Sequence, residues 1–342
     1  MQVAVVGATG MVGRRLLGFL ESRKFPWRGL RLFASDRSLG KKIEVGGQTY
    51  RCQKLVPGCF QGLDLVFFDA SDEVSLHFVP QALKEGAWVV DNASVFRLEE
   101  GSFLLVPEVN GDLLRSFLKK TPVVPTVISG PNCVVVPLVM ALKPLLPWGI
   151  QRVVLSTYQS TSGAGNAAMQ ELEAQSRSSL DQKPLVAKVF AHPIAFNCIP
   201  QIGSFQQDGA TSEERKIVLE TRKILERPDL KMAVTAVRVP TFFCHALSIY
   251  LECEYGLDLA EVRQALRAQP GVVVLDDPST ASYPLGISET YGAQGRDAVY
   301  VGRLRHGESS NTLQLWVVSD NLNKGAALNA IELGEMLISV LH

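Results

Sequence analysis

The sequence predicts an α/β protein. A helix-covered parallel sheet comes first, a mixed α+β domain follows, and a C-terminal helix returns to the first domain. Three observations predict this. Short apolar runs alternate with helical periodicity up to about residue 128, the pattern of a doubly wound sheet. A glycine-rich turn joins the first apolar run to the first helical segment. From Arg152 onward, longer runs alternate apolar and polar residues, as strands of a mixed sheet with helices on one face do.

Taken in order, Gln2–Val6 reads as a buried strand, Gly7-Ala8-Thr9-Gly10 as a turn and Met11–Ser22 as a helix. Residues 30–34 and 63–69 are the next strands, 74–85 is a helix, and Trp88–Asp91 is a strand again. In the second half, 153–158 and 232–239 are β-rich, and 246–254 and 311–319 alternate as half-buried strands do. Residues 167–178 and 212–225 are helical, and 325–341 form a long amphipathic helix. The expected division is 1–128 for a nucleotide domain, 129–320 for a catalytic and dimerisation domain, and 321–342 for the returning helix.

Composition narrows the function. Apolar residues make up 46% of the 342 and charged residues 20%, ordinary for a globular protein. Lys plus Arg total 34 and Asp plus Glu total 34, so no basic surface points to nucleic acid or to an acidic membrane. No signal-peptide pattern is visible, and the most apolar stretch, 134–146, is broken by Pro137 and Pro144. A cytoplasmic protein is expected. The six cysteines show no CxxC pair and no zinc-ligand spacing, so neither a metal site nor a disulfide framework is expected.

Gly7-Ala8-Thr9-Gly10-Met11-Val12-Gly13 is a GxxGxxG form of the dinucleotide fingerprint, placed after a strand and opening a helix. Its glycines let backbone approach a pyrophosphate, and the helix N-terminus offers free N–H groups. The first domain therefore reads as Rossmann-type. The second strand leads into Ser35, Asp36, Arg37 and Ser38. An acid there favours NAD through the ribose hydroxyls, whereas Arg with flanking hydroxyls favours the 2′-phosphate of NADP. The polar cluster around Arg37 tips the expectation to NADP.

Pro131-Asn132-Cys133 precedes an apolar helix expected to begin near Asn132. A helix N-terminus favours a thiolate, and Asn132 is suited to capping the helix or to donating to an oxyanion. A thiol nucleophile needs a partner base. His245, in the apolar segment Val239-Pro240-Thr241-Phe242-Phe243-Cys244-His245, is the best placed of five histidines. Cys244 is a rival nucleophile; an extended backbone would turn it away from the face that His245 occupies.

These residues resemble aspartate-β-semialdehyde dehydrogenases, and the match runs over nearly the whole chain. It is carried by the cofactor turn, Asp91-Asn92-Ala93-Ser94-Val95-Phe96-Arg97, Val106-Pro107-Glu108-Val109-Asn110, and Pro131-Asn132-Cys133. Residues 157–165, 196–202 and 220–225 continue it. The resemblance implies Cys133 as nucleophile, His245 as acid/base and Gln159 as the group orienting the acyl intermediate. It implies Arg238 for the substrate carboxylate, Glu220 for its ammonium, and Arg97, Asn132 and Lys223 for phosphate. It adds Ser162, Gly163 and Asn321 to the cofactor residues Gly7, Thr9, Gly10, Met11, Val12 and Gly13. The implied reaction is NADP-dependent oxidative phosphorylation of L-aspartate 4-semialdehyde by a homodimer joined through the second domain. Rival readings are an N-acetyl-glutamyl-phosphate reductase, which Glu220 disfavours, and a non-catalytic paralogue.

Three departures stand out. Val134 and Val135 follow the cysteine where the family usually has Ser or Thr, and Cys244 replaces the usual glycine before the histidine. Asp69-Ala70-Ser71-Asp72-Glu73 replaces a small Gly-rich turn, and its acids are expected to weaken NADP binding.

Overall fold

The computed structural model describes residues 1–119, 124–290 and 292–341; the terminal His342 lies outside them. The chain divides into two compact units, Met1–Asn132 with Ala326–His342, and Cys133–Gly325.

The first unit holds an eight-stranded sheet. Its strands are β1 (Gln2–Val6), β2 (Gly29–Phe33), β3 (Lys42–Val45), β4 (Gln48–Gln53), β5 (Leu65–Phe68), β6 (Trp88–Asp91), β7 (Phe103–Leu104) and β8 (Val127–Ser129). They lie in the order β3-β4-β2-β1-β5-β6-β8-β7. All pairings are parallel except β3 with β4. Helices α1 (Met11–Ser22), α2 (Asp72–Lys84), α3 (Pro107–Asn110) and α4 (Asp112–Leu118) connect the strands.

The central strand explains the double winding. Val3 and Val5 share one core with Leu16, Leu17 and Leu20 of α1, while Ala4 and Val6 share another with Val79 and Ala82 of α2. Successive residues of one strand thus feed opposite cores. Each buried leucine contributes roughly 1.5–3 kcal/mol.

The second unit is a six-stranded mixed sheet of β9 (Ile150–Gln159), β10 (Lys231–Arg238), β11 (His245–Cys253), β12 (Val272–Val274), β13 (Val299–His306) and β14 (Thr312–Ser319). Their order is β10-β9-β11-β14-β13-β12. Helices α5 (Val135–Leu142), α6 (Asn166–Leu180), α7 (Ser212–Ile224) and α8 (Leu259–Ala268) belong to this unit, and α5, α7 and α8 contact its strands. The chain then enters α9 (Leu328–Leu341), which packs on α1, α3 and α4 of the first unit.

Two helix starts differ from expectation. α5 begins at Val135, its N-cap position is Val134, and no side chain caps it, so Asn132 does not cap it. The side chains of the fully buried Val134 and Val135 carry no group able to accept an N–H. The last helix begins at Leu328 rather than 325, after a π-turn over Asn323–Ala327. That turn brings the Gly325 backbone onto Cys133, where a Cβ would stand 3.1 Å from the Cys133 carbonyl oxygen.

The turn after β1 is closed tightly. The N–H groups of Gly7 and Ala8 both donate to the Phe33 carbonyl, at 2.9 and 3.1 Å. Gly7 has φ +85°, and a Cβ on it would lie 1.9 Å from the Asp69 carbonyl oxygen. Gly7→Ala should therefore cost at least about 2 kcal/mol, from strain and collision together. Urea unfolding checks this, and a loss below about 0.5 kcal/mol would contradict the described turn.

Candidate active site

Three neighbouring strands end level with one another. Gln159 on β9 pairs in register with Arg238 on β10 and with His245 on β11. Residues paired across strands project to the same face, and here the three side chains are 2%, 5% and 1% exposed. The sheet therefore assembles a buried amide, guanidinium and imidazole in one row.

The imidazole is held through one nitrogen. Its Nδ1 accepts the Ser160 backbone N–H at 3.1 Å and lies 3.2 Å from Ser160 Oγ. A backbone N–H is always a donor, so the neutral ring carries its proton on Nε2. Nε2 is buried and has no hydrogen-bond partner among the described residues. Burial, with Arg238 nearby, lowers the pKa of His245 to about 3, so the ring is neutral at physiological pH. Gly163 leaves room at this point: a Cβ there would stand 3.1 Å from both His245 Nε2 and Arg238 Nη1.

Asn321 ties the surrounding loops. Its Oδ1 accepts Ser160 Oγ at 3.3 Å, Ser162 Oγ at 3.2 Å and the Cys244 N–H at 3.0 Å, and its Nδ2 donates to Ser162 Oγ at 3.0 Å. Asn321 and Ser162, expected at the cofactor, are thus joined to the loop that holds His245.

Arg238 donates from Nη1 to the Ser160 carbonyl at 2.6 Å, and the Phe190 ring covers its guanidinium at 5.9 Å. Burial lowers its pKa, while Cys133 and Glu213 act to raise it. The Phe190 segment is pinned by α6. Glu171 Oε2 accepts the N–H groups of Lys188 and Val189 at 2.8 and 2.6 Å, and Gln175 Oε1 accepts those of Ile194 and Ala195 at 2.7 and 3.1 Å.

Gln159 donates from Nε2 to Glu213 Oε1 at 3.2 Å and accepts from Thr157 Oγ1 at 3.0 Å. Glu213 stands in the first turn of α7, which a capping box between Thr211 and Glu214 secures. Glu214 Oε1 also accepts the Ala236 N–H of β10 at 2.9 Å, fixing the helix start to the sheet. Glu213, which sequence reasoning did not single out, is the acid hydrogen-bonded to Gln159, and its charge also acts on Arg238. Glu220 is 1% exposed and sits seven residues on along the same helix face. Its burial excludes an exposed surface pair with Lys223, which is half-buried one turn beyond.

Cys133 lies in the turn before α5 and is half-buried. Its rival is eliminated by a different route from the one expected. Cys244 is not extended but left-handed, at φ +69°, the backbone that favours glycine. Its Sγ is 3.4 Å from the Gly286 carbonyl, and burial with Asp320 nearby pushes its thiol pKa far up. A thiol in that setting is not a nucleophile at neutral pH.

In the first unit, α1 opens with Gly10 at its N-cap and no side chain capping it. A Cβ on Gly13 would stand 2.3 Å from the Gly7 carbonyl oxygen. Such a side-chain-free cradle at a helix N-terminus fits a pyrophosphate, with Thr9, Met11 and Val12 around it. Ser35, Asp36 and Arg37 are exposed and Ser38 is half-buried. Lys54 pairs with Asp36 at 2.9 Å in an exposed contact that offsets the acid next to Arg37. Arg97 is 7% exposed and donates to the carbonyls of Gly130 at 2.9 Å and Asn92 at 2.7 Å, bracing the segment that leads to Asn132.

Glu213, Ser160 and Lys54 escaped the sequence reading. Glu213 is one of two acids in the first turn of α7, Ser160 acts chiefly through its backbone, and Lys54 follows a separate strand. Only the first left a signal, the Thr211/Glu214 capping pattern that marks the helix start beside it.

Comparison with known proteins follows the same division. Residues 2–117 match the model of the semialdehyde dehydrogenase NAD binding domain, and residues 142–324 that of the semialdehyde dehydrogenase dimerisation domain. The aspartate-semialdehyde dehydrogenase of Aquifex aeolicus is 42% identical over 341 residues, covering 98% of each chain. That of Bacillus subtilis is 40% identical over 347 residues, covering 98% of this chain and 97% of its own. The crystal structure of aspartate semialdehyde dehydrogenase II from Vibrio cholerae superposes with a TM-score of 0.92 at 38% identity, covering 99% of this chain and 98% of that one. The Candida albicans enzyme, solved with NADP, has a TM-score of 0.75 at 25% identity and covers 99% of each chain.

Two measurements check the geometry. Limited alkylation with iodoacetamide at neutral pH should label Cys133 and the exposed Cys198 first and leave Cys244 unmodified; prior labelling of Cys244 would reverse the choice of nucleophile. With its pKa lowered to about 3, His245 stays neutral as pH rises from 5 to 8. Long-range proton–nitrogen spectra should show one histidine that does not titrate over that range, protonated on Nε2; a midpoint near pH 6.5 for His245 would contradict the site.

Proposed function

The chain belongs to the aspartate-semialdehyde dehydrogenase family, and from that premise we propose that it catalyses the reversible, NADP-dependent oxidative phosphorylation of L-aspartate 4-semialdehyde to 4-aspartyl phosphate. The observation that carries this reading is the in-register row of Arg238, Gln159 and His245, with Cys133 acting electrostatically on Arg238. In cells the reductive direction would supply lysine, threonine and methionine synthesis.

Arg238 binds the substrate α-carboxylate through its guanidinium fork. Glu220, buried on α7, takes the substrate ammonium, and Glu213 holds the Gln159 amide. The Cys133 thiolate adds to the aldehyde carbon and its charge passes to the carbonyl oxygen. His245, neutral with its proton on Nε2, donates a hydrogen bond to that alkoxide, as a neutral imidazole can when its pKa is depressed. The alkoxide already lacks its proton, so His245 need not remove one before the carbon is oxidised. The nicotinamide nucleotide, held at Gly7 to Gly13 and at Ser35, Arg37 and Ser38, supplies the hydride acceptor. Gln159 orients the resulting thioester. Phosphate, held by Arg97, Asn132 and Lys223, attacks its acyl carbon, and the carbon–sulfur bond breaks to restore the Cys133 thiolate. Thiolate serves both steps because it is a good nucleophile and a good leaving group.

NADP over NAD is supported by the pairing of Asp36 with Lys54, which offsets the acid next to Arg37. A homodimer is supported by the outer face of the second sheet. Val154 and Tyr158 are 40% and 39% exposed there, and Tyr158 packs against Trp316 with ring centroids 5.3 Å apart. Among the described residues, no helix is long and apolar enough to cross a membrane.

The deciding assay measures reduced nucleotide formed from the semialdehyde with and without phosphate, using NADP and NAD in parallel. Turnover that requires phosphate and prefers NADP is expected. Cys133→Ser should lose at least about 10³-fold in kcat while still binding nucleotide. Activity retained in that variant would sink the nucleophile, and turnover indifferent to phosphate would sink the phosphorylating step.

A further inference from the structure

Three acids, Asp69, Asp72 and Glu73, stand where the resemblance leads one to expect a small Gly-rich turn. Two of them are explained by α2. Asp72 and Glu73 form its first turn, Ser71 accepts the Val74 N–H, and Asp72 accepts from the N–H of Ser94 at 2.7 Å and its Oγ at 2.6 Å. Acids in a first helical turn are favourable against the helix dipole.

Asp69 has no such role in α2. It follows β5, is half-buried, and its backbone carbonyl presses on Gly7. Its carboxylate lies on the opening turn of α1: Oδ2 is 3.7 Å from where a Cβ on Gly10 would stand, and the Gly13 backbone N–H favours its ionised form. From the segment after β6, the Asn92 side chain also favours the ionised form, and the Asp91 carboxylate at the end of β6 opposes it. Asp91 is itself acted on by Arg97 and Asp72. No acid of its own occupies the first turn of α1. A carboxylate from another element therefore lies beside the Gly13 N–H, at the turn where a dinucleotide's phosphates would sit.

We propose that Asp69 sets the affinity of the nucleotide site, binding being strong when its carboxylate is protonated and weak when it is charged. Nucleotide phosphate and ionised Asp69 are like charges competing for one donor surface. Burial, and then Asp91, push the Asp69 carboxyl up to about 6, so at neutral pH it is mostly ionised. Each nucleotide bound there takes one proton from solvent onto the Asp69 carboxylate. The inference rests on the nucleotide reading of the α1 turn, and the experiment separates the two.

The test is calorimetric titration of the whole chain with NADP+ from about pH 5.5 to 8, in buffers of different ionisation enthalpy, for the wild type, Asp69→Asn and Asp69→Ser. The NADP 2′-phosphate titrates in the same range, but equally in all three proteins. Relative to Asp69→Asn, the wild-type Kd should rise on the order of tenfold or more across that range. Net proton uptake near pH 7.5 should approach one in the wild type and vanish in both variants once the common contribution is subtracted. Parallel pH profiles with equal proton uptake would overturn the proposal. So would weaker binding in the variants at every pH with an unchanged slope, which would make Asp69 only a cap for α1. Binding by none of the proteins at any pH would overturn the nucleotide reading itself, and the proposal with it.

Discussion

The constraint on which the site depends is the register of three strands. β9 pairs with β10 in parallel and with β11 antiparallel, and both pairings terminate on Gln159. A one-residue slip in either would send Arg238 or His245 to the opposite face, since strand side chains alternate. The register is secured along eight consecutive residue pairs with β10 and eight before the bulge with β11. The ordinary energetics of strand pairing thus position a set of polar side chains that would be costly to bury singly.

Burial of those groups is offset by hydrogen bonds with assigned directions. Ser160 supplies an N–H to His245 and a carbonyl to Arg238, so one peptide segment serves both. Asn321 then holds Ser160, Ser162 and the left-handed Cys244 together. The positive φ at Cys244 is the conformational cost of turning the chain sharply into β11, and glycine, the residue the family usually keeps there, would meet it without strain. The one polar atom of the imidazole left unmatched among the described residues, Nε2, is the atom the proposed chemistry would use. Unsatisfied buried groups in otherwise satisfied networks are where function is expected.

The first unit follows the same logic with opposite materials. There the site is made by removing side chains: Gly7 and Gly13 allow backbone contacts that a Cβ would forbid. The resulting concave N–H surface has no preference among anions, so a nearby carboxylate acts on it as a phosphate would. Asp69 therefore matters more than an exposed acid elsewhere on the molecule, and more than Asp72 or Glu73, which α2 has already employed.

The sequence by itself determined the fold class and the nucleotide turn, and it pointed to Cys133 and His245 from local context and to Gln159 and Arg238 through the family resemblance. Periodicity and glycine spacing are local properties, and a composite motif match is specific because many positions must agree. Tertiary structure decided what depends on distance between segments far apart in the chain. It joined Glu213, which the sequence did not mark, to Gln159, because the capping box fixes where α7 begins relative to β10. It placed the start of α5 at Val135, beyond Asn132. It assigned the proton of His245 to Nε2, because a backbone N–H eighty-five residues away in sequence meets the other nitrogen. It also separated three neighbouring acids into two that stabilise a helix and one that faces the α1 turn. Helical and strand spacing are written in a few adjacent residues, whereas a proton's location depends on whichever group the folded chain brings against it.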